Sequence, residues 1–303
     1  MYLYHFGLTE LPFNLTPDTD FYCELPVYGD AMNVLRVALE SGEGFVKVIG
    51  EVGTGKTMLC RMLLNYLESR AKCAYLPNPY LSPNELRLAL ASELSIRVAR
   101  TIDQYQLTEK INKKIMKFQQ EGKPVVVIVD EAQALPRESL EALRLFTNLE
   151  TEKRKLLQVV LFAQPELDTR LAKPDLRQLR QRISFSCNLK PLDLASIRVY
   201  LNHRLRAAGL TMERLEGGEL FTPSAIKILL KRSRGIPRLV NVLAHKSMML
   251  AYGKGQFKID ASDVKGAAKD TGDVTYHHWL WGLLVALGLS GSLFGVFMAG
   301  WLP

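Results

Sequence analysis

The residues with the clearest chemical signature lie at positions 50–57 of the 303-residue sequence, which read GEVGTGKT. They match the phosphate-binding pattern G-x-x-x-x-G-K-[ST], in which backbone N–H groups turn inward around an anion. In such a loop Lys56 reaches the β- and γ-phosphates of ATP, and the hydroxyl of Thr57 binds Mg²⁺. The residues predicted to form the loop are Gly50, Glu51, Val52, Gly53, Thr54, Gly55, Lys56 and Thr57. A chance glycine-rich turn is the alternative, but an apolar stretch before the loop and an amphipathic one after it argue against that.

Two adjacent carboxylates, Asp130 and Glu131, follow the apolar run of residues 125–129. Such a β-branched run is typical of a central parallel strand, whose carboxyl end opens at the same sheet edge as the phosphate loop. Asp130 is therefore predicted to hold Mg²⁺ through water, and Glu131 to orient or deprotonate the attacking water. A strand that ends in an exposed acidic turn is the alternative, and the phosphate loop upstream argues against it.

Four further polar residues follow or precede the predicted strands. Gln164 comes directly after an apolar strand and is predicted to lie between the two carboxylates and the γ-phosphate. A simple strand-end turn would give the same sequence.

Arg177, Arg180 and Arg182 precede the last predicted strand. Arg182 is preferred as the residue that reaches a neighbouring subunit's nucleotide and stabilises charge on its γ-phosphate. A solvated basic helix face is the alternative for all three.

Arg238 stands in the first turn of a predicted helix, in the run GIPR at positions 235–238. Proline at the first helical position fixes the turn, whereas a cation there opposes the helix macrodipole. That unfavourable placement is explained if Arg238 meets an anion, so it is predicted to contact the γ-phosphate. A purely structural role at the helix start is the alternative.

The elements that must position these residues alternate between strands and helices, which indicates a parallel α/β sheet with right-handed crossovers. Strands are predicted at residues 45–49, 73–76, 125–129, 157–162 and 182–187. One helix is predicted before the first strand, at about 28–40. Others are predicted between strands, at about 56–68, 82–94, 103–120 and 137–150, and then, with no further strands, at 193–208, 222–233, 237–252 and 260–269. The sequence therefore predicts a nucleotide-binding core at 1–190, a helical lid at 191–270 and a linker at 271–278.

The bulk composition is that of a packed protein, with 48% hydrophobic and 23% charged residues. The net charge of +8 suits an anionic partner such as nucleotide, nucleic acid or lipid, and also suits the cytoplasmic part of a membrane protein. The four cysteines show no metal or disulfide spacing, which favours a reducing compartment. Residues 1–30 lack a secretory signal and are predicted to form an irregular, aromatic-rich arm packed on the body.

Residues 279–302 contain no charged residue and begin with Trp279. As a helix, the 23 residues 279–301 would be about 35 Å long, enough to cross a bilayer's hydrocarbon core. Lysines precede this segment and none follows it, so the preceding side is predicted to stay in the cytoplasm. A small-xxx-small run from Gly291 to Gly295 favours close helix contact. A buried core helix is the alternative to a membrane span.

The ordered set of GEVGTGKT, VVVIVDEAQ, FAQPEL, LRQLRQRI and GIPR, with the opening YHFGLTELPFNLTPDTDFY, resembles the AAA+ ATPases of the general secretion pathway protein A (ExeA-like) group. The resemblance covers about residues 1–270. It implies a P-loop AAA+ core with a helical lid, binding ATP and Mg²⁺. It assigns magnesium to Thr57 and Asp130, water activation to Glu131, sensor roles to Gln164 and Arg238, and the neighbour-reaching role to Arg182.

The resemblance also implies a cellular setting. The expected protein is a homo-oligomeric ring, with six subunits as one candidate, held in a bacterial inner membrane by one span. Its expected partners are membrane lipid and proteins of a type II secretion or MSHA-like type IV pilus machine. Longer members of the group continue into a peptidoglycan-binding domain, so contact with the cell wall here would need a bitopic partner protein.

Two other functions fit parts of the sequence. One is an ATP-dependent DNA-binding adaptor of the transposition type, which the positive charge permits. Against it stand the apolar segment and the lack of a recognisable DNA-reading motif, so nucleic acid is not an expected partner. The other is a nucleotide switch that hydrolyses ATP slowly and serves as a scaffold.

Overall fold

The computed structural model describes residues 2–77, 79–99, 102–149, 155–211, 213–215 and 218–272. Its strands are β1 (Phe45–Gly50), β2 (Lys72–Leu76), β3 (Val125–Val129), β4 (Leu157–Ala163) and β5 (Ile183–Leu189). Its α-helices begin with α1 (Tyr2–Phe6), α2 (Pro26–Glu40), α3 (Lys56–Leu67), α4 (Pro83–Glu93), α5 (Gln104–Gln120) and α6 (Arg137–Phe146). They continue with α7 (Glu166–Leu171), α8 (Arg177–Arg182), α9 (Leu194–Ala207), α10 (Pro223–Ser233), α11 (Pro237–Gly253) and α12 (Ala261–Lys269).

The five strands form one parallel sheet in the order β2-β3-β4-β1-β5, which confirms the predicted parallel α/β fold. Ile49 of β1 pairs with Ala163 of β4, and Leu161 of β4 pairs with Val129 of β3. The carboxyl ends of these three strands therefore lie side by side. The phosphate loop, the acidic pair and Gln164 each follow one of these ends, so the fold brings them to one edge of the sheet.

Helices cover both faces of the sheet, which explains why β3 and β4 are buried at every position. On one face α2 and α3 share a core with α9–α12, in which Leu35 and Leu59 are fully buried. On the other face α4–α8 form a second core around Leu86, Ile111 and Leu143. Burying a side chain of this size contributes about 1.5–3 kcal/mol, so the two cores fix the sheet that carries the site.

Most predicted helix starts are found at the expected residues. The hydroxyl of Ser82 accepts the N–H of Glu85 at 3.4 Å, the carboxylate of Glu85 accepts the N–H of Ser82 at 2.8 Å, and Thr222 caps α10. The helix predicted at 137–150 ends earlier, at Phe146, where the hydroxyl of Thr147 bonds back to the carbonyl of Arg144. The two six-residue helices α7 and α8 were not predicted, because they are too short to show a period.

The predicted N-terminal arm packs mainly on the helical region after β5, and it contains the short helix α1, which was not predicted. The phenol of Tyr2 lies 2.8 Å from Nδ1 of His245, and the N–H of Thr9 donates to the carbonyl of Ala208 at 2.8 Å. These contacts join the first residues of the chain to α11 and to the end of α9.

Among the described residues, none of the helices has both the length and the apolar character needed to cross a membrane. The predicted membrane segment at 279–302 lies outside the described residues, as does the predicted linker from residue 273 onward.

Candidate nucleotide site

The phosphate loop joins β1 to α3 and is held close to two other parts of the chain. Gly53 and Gly55 have φ values of 81° and 97°, a region that favours glycine. A Cβ atom on Gly53 would lie 2.6 Å from Cβ of Arg238, and one on Gly55 would lie 2.8 Å from the phenol oxygen of Tyr28. These glycines are therefore needed both for the loop conformation and for its close contact with α2 and α11.

Lys56 is the buried cation of the loop, with only 4% of its surface exposed. Its ammonium donates to the carbonyls of Gly50 at 2.9 Å and Glu51 at 3.1 Å. Burial lowers the pKa of Lys56, and the nearby charges of Glu131 and Asp130 oppose that shift. The arrangement holds a positive charge over the loop, where phosphate oxygens would bind.

Thr57 and Asp130 bring two oxygen donors together. The Thr57 hydroxyl donates to Oδ2 of Asp130 at 2.9 Å, and Oδ1 of Asp130 accepts the N–H of Glu131 at 3.0 Å. Burial raises the pKa of Asp130, while these two hydrogen bonds act in the opposite direction. Mg²⁺ binds through few protein oxygens and keeps waters and phosphate oxygens as its other ligands, so this hydroxyl–carboxylate pair fits Mg²⁺.

Glu131 has a left-handed backbone, with φ 55°. Its Oε2 accepts a hydrogen bond of 2.8 Å from the amide of Gln164 and another from the amide of Gln133. The predicted proximity of Gln164 to the carboxylates is therefore observed in the structure. A non-glycine residue in this backbone region costs energy, and such strain is concentrated at functional sites.

Gln133 is a site residue that sequence reasoning did not identify. Besides contacting Glu131, its Oε1 accepts the backbone N–H of Gln164 at 3.0 Å. The guanidinium of Arg170 bonds to the carbonyl of Gln133, and to that of Leu135 at 2.7 Å. Gln133 thus links the end of β3 to the end of β4. Its signal in the sequence was its place at the end of the motif VVVIVDEAQ, two residues after Glu131. No role was assigned to it, since a turn has no periodicity that shows where a side chain points.

The three candidate arginines before β5 differ in their surroundings. Arg182, at the end of α8, is half-buried and donates to the hydroxyl of Thr147 at 3.2 Å. Arg177 and Arg180 are exposed, and neither side chain forms a hydrogen bond or ion pair with another described residue. None of the three lines the cleft that contains Lys56. A role at the chain's own nucleotide is not supported, and action on a neighbouring subunit stays a prediction.

Arg238 lies in the first turn of α11, next to the phosphate loop. Its backbone N–H donates to the carbonyl of Gly53 at 3.1 Å, and its side chain lines the same cleft as Lys56 and Thr57. Within the described part of the chain, its exposed guanidinium has no hydrogen-bond or ion-pair partner. The structure thus places this cation beside the phosphate loop, and its contact with the γ-phosphate stays a prediction.

The cleft beside the loop has a volume of about 410 Å³, within the range of small-molecule sites. Its outer wall comes from the N-terminal arm and α9, a contribution that the sequence did not predict. The guanidinium of Arg204 lies 4.8 Å from the ring centre of Phe21 and donates to the carbonyl of Pro12. Tyr22 and Tyr200 line the same wall. The aromatic and proline content of the arm was the only sequence signal for this role.

Comparison with known proteins agrees with this geometry. Residues 39–171, from the end of α2 to the end of α7, match the family described as AAA domain. Across 302 residues, or 99% of this chain, the sequence is 38% identical to General secretion pathway protein A from Aeromonas hydrophila. The chain spans about half of that relative, covering 53% of its length.

Several solved structures share the fold at low sequence identity. Cdc6p from Pyrobaculum aerophilum matches with a TM-score of 0.64 and 18% identity, over 86% of this chain and 70% of that one. The Aeropyrum pernix ORC2 protein matches with a TM-score of 0.63 and 18% identity, over 90% and 75%. The Thermotoga maritima RuvB branch migration motor matches with a TM-score of 0.52 and 17% identity, over 82% and 70%. The AAA domain match, the relative and the shared fold together support the resemblance to the ExeA-like AAA+ proteins.

Proposed function

We propose that this chain hydrolyses ATP to ADP and phosphate, and that it couples ATP binding and hydrolysis to the assembly of a secretion or type IV pilus apparatus. The observation that carries the enzymatic part is the 2.9 Å contact between Thr57 and Asp130. This contact lies beside the Lys56 loop, in the cleft that Glu131 also lines. A phosphate site, a magnesium-binding pair and a carboxylate base are the three parts that phosphoryl transfer to water requires.

Binding of the nucleotide is assigned to the loop and to two cations. The backbone N–H groups of residues 50–57 and the N-terminus of α3 bind the phosphates, and Lys56 and Arg238 approach the γ-phosphate from two sides. The oxygens of Thr57 and Asp130 would hold Mg²⁺. When bound, Mg²⁺ neutralises negative charge on the β- and γ-phosphates.

Hydrolysis is assigned to Glu131. A water molecule attacks the γ-phosphorus, its proton passes to the Glu131 carboxylate, and the bond from the γ-phosphorus to the bridging oxygen breaks to leave ADP. Gln164 contacts the same carboxylate at 2.8 Å, which supports a role in positioning Glu131 and the γ-phosphate relative to each other. Arg182 of one subunit is assigned to the γ-phosphate of the next, in a homo-oligomeric ring.

The cellular part of the proposal rests on the relative and on the sequence outside the described residues. The relative is named General secretion pathway protein A, and the chain matches about half of it. We propose that residues 279–302 anchor the chain once in the inner membrane, with the ATPase region in the cytoplasm. The proposed partners are inner-membrane proteins of the secretion or pilus machine, including a bitopic protein that binds the cell wall.

The enzymatic proposal is tested by two variants and a matched control. Lys56→Ala should abolish ATP binding or turnover. Glu131→Gln should retain ATP binding while turnover falls by roughly 10²–10⁴-fold, because an amide cannot accept the proton. Glu138→Gln, at an exposed carboxylate on α6, should behave as wild type. Equal turnover in wild type and Glu131→Gln would remove the role given to Glu131.

The cellular proposal is tested separately. A reporter that is active only in the periplasm, fused after Pro303, should give signal, and carbonate should not release the protein from membranes. Proteins that co-purify with the detergent-solubilised chain should include inner-membrane assembly proteins, and Glu131→Gln, with ATP retained, should enrich them. Release by carbonate would contradict the single-span arrangement.

A further inference from the structure

Helix α11 is flanked on one side by the N-terminal helix α1. The phenol of Tyr2 lies 2.8 Å from Nδ1 of His245, and the rings of His5 and Tyr252 lie 5.4 Å apart in an edge-to-face arrangement. These two contacts, about two helical turns apart on α11, hold α1 alongside the carboxyl-terminal half of α11.

On its other side α11 is flanked by α12. The ammonium of Lys246 donates to the carboxylate of Asp270 at 2.8 Å and to its carbonyl at 2.6 Å. Farther along, Leu250 packs against Gly266, where a Cβ atom would lie 3.0 Å from the Leu250 side chain. The end of α12 therefore lies beside Lys246. Helices α1 and α12 thus flank the same part of α11 from two sides.

Exposed apolar side chains lie on α11 and on α1 beside it. Met249 comes four residues after His245 and three after Lys246, so it lies on the outward ridge of α11 and is 52% exposed. Leu250 and Tyr252 beside it are each 40% exposed, and Tyr4 on α1 is 90% exposed. We call Tyr4, Met249, Leu250 and Tyr252 the outer apolar face. Single exposed apolar residues are ordinary, whereas a group on adjoining helices is typical of a contact surface.

Two exposed lysines lie on α12, the helix that flanks this part of α11. Lys265 and Lys269 are one helical turn apart and make no ion pair or hydrogen bond with other described residues. In contrast, Lys246 and Lys254 are paired with Asp270 and Asp263. Lys265 and Lys269 therefore supply unpaired positive charge on α12, which complements a negatively charged partner.

The length of the chain after α12 limits how far this surface can lie from a membrane. Six residues separate Gly272 from Trp279, the first residue of the proposed span, and the seven Cα–Cα steps between them reach at most about 25 Å. If residues 279–302 span the membrane, this short connection keeps the outer apolar face close to the lipid headgroups. Tyrosine and lysine are the residue types that suit this zone, where an apolar body meets lipid and a polar end meets water.

We propose that the outer apolar face, with Lys265 and Lys269, is a membrane-contact surface that lies against the headgroups of an anionic phospholipid bilayer. The proposal rests on the membrane anchoring proposed above. The lysines meet lipid phosphates while Tyr4, Met249 and Tyr252 insert among the headgroups. The helical lid is then held against the membrane in a defined orientation, and residues 273–278 are not its only connection to the bilayer.

Tyrosine labelling of the full chain in lipid vesicles tests this surface. N-acetylimidazole, which is water-soluble, labels tyrosines, and peptide mass spectrometry reads Tyr4, Tyr252 and Tyr105. Tyr105 is 76% exposed and lies on α5, on the other face of the sheet, so it serves as the internal reference. The ratio of Tyr4 to Tyr105 labelling should be several-fold lower in vesicles of phosphatidylcholine and phosphatidylglycerol than in phosphatidylcholine alone. Equal ratios in the two lipids would overturn the proposal.

Substitutions of the lysines and of Met249 test which residues contact the lipid. The double variant Lys265→Glu/Lys269→Glu should restore Tyr4 labelling in the anionic vesicles, while ATP hydrolysis in detergent stays at the wild-type rate. Met249→Asp should increase Tyr252 labelling in the same vesicles. Met116→Asp is the matched control, because Met116 is 50% exposed on α5, away from the proposed surface. If Tyr4 is still protected from labelling in the double variant, the role given to the lysines is contradicted.

Two further measurements distinguish lipid contact from self-association and from loss of the anchor. If a second copy of the chain covers the surface, Tyr4 protection should disappear when the protein is diluted in excess lipid, and that result would overturn the lipid proposal. Carbonate extraction of the same vesicles reports on anchoring. Release by carbonate would refute the anchoring, whereas retention with unprotected Tyr4 would refute the membrane-contact surface alone.

Discussion

The side-chain amide of Gln164 donates a 2.8 Å hydrogen bond to the carboxylate of Glu131. This contact joins the end of β4 to the end of β3 at the cleft that holds Lys56. Gln133 completes the link, because it contacts both the Glu131 carboxylate and the backbone N–H of Gln164. The position of the proposed base is therefore set by two amide side chains from neighbouring segments.

Gln164→Ala should lower kcat for ATP hydrolysis by about 10–100-fold, with little change in KM, because it removes one of the two contacts that hold Glu131 and one donor near the γ-phosphate. Gln133→Ala should lower kcat less, since Gln164 still contacts the carboxylate. Steady-state kinetics checks both, with Gln106→Ala on the exposed face of α5 as a control. A rise in KM with unchanged kcat for Gln164→Ala would assign Gln164 to binding only.

Gly53→Ala should destabilise the protein by about 1–3 kcal/mol and weaken ATP binding, because its Cβ atom would lie 2.6 Å from Cβ of Arg238 and its φ is 81°. Gly42→Ala is a matched control, since Gly42 has a φ of 77° but an added Cβ would meet no atom within 4 Å. Thermal unfolding and ATP titration of the two variants separate backbone strain from the clash with α11. Equal effects would mean that the contact with Arg238 is unimportant.

Arg182→Ala should retain nucleotide binding and lower turnover by roughly 10³-fold or more, if Arg182 serves the next subunit's γ-phosphate. Mixing it with Glu131→Gln subunits should restore part of the activity, because some interfaces then contain one intact site. Thr147→Val removes the in-chain partner of Arg182 and serves as the structural control. Absence of rescue in mixed oligomers that are shown to form would exclude action between subunits for Arg182, and Arg177 and Arg180 would be tested next.

Acidification should weaken the attachment of the N-terminal arm through His245. Burial lowers the pKa of His245, so the folded protein binds a proton there more weakly than the unfolded chain, whose histidine titrates near pH 6.5. The stability that His245 contributes is therefore present above this pH and is lost as the pH falls. Between about pH 7.5 and pH 5.5, the Tm of wild type should fall by about 2 °C more than that of His245→Gln. If the Tm of wild type and that of His245→Gln depend identically on pH, this role of His245 is contradicted.

The parts of the site that follow parallel strands could be predicted from the sequence. Asp130, Glu131 and Gln164 each come directly after an apolar run, and the carboxyl ends of parallel strands meet at one edge. Arg238 was predicted because a cation in the first turn of a helix is unfavourable unless an anion lies nearby. In these cases local physical chemistry is enough to place the residue.

The remaining parts depend on contacts that no local pattern encodes. Arg204 and Phe21 form one wall of the cleft, yet they are far apart in the chain and meet only through tertiary packing. The direction of the Gln133 side chain is set by a turn, not by a periodic element. The short helices α7 and α8 likewise depend on tertiary packing, because their buried residues, such as Leu167 and Leu179, belong to the core on one face of the sheet.

Helix α11 connects the phosphate loop to the exposed residues at its other end. Its first turn is bonded to the phosphate loop, through the N–H of Arg238 and the carbonyl of Gly53, and its last turns carry Met249 and Tyr252. The helix is therefore a rigid rod about 25 Å long, with the phosphate loop at one end and the exposed residues Met249 and Tyr252 at the other. A tilt of about 10° at the loop would move the far end by about 4 Å, given that length. A shift of the phosphate loop would in this way be converted into a larger displacement at the far end of α11.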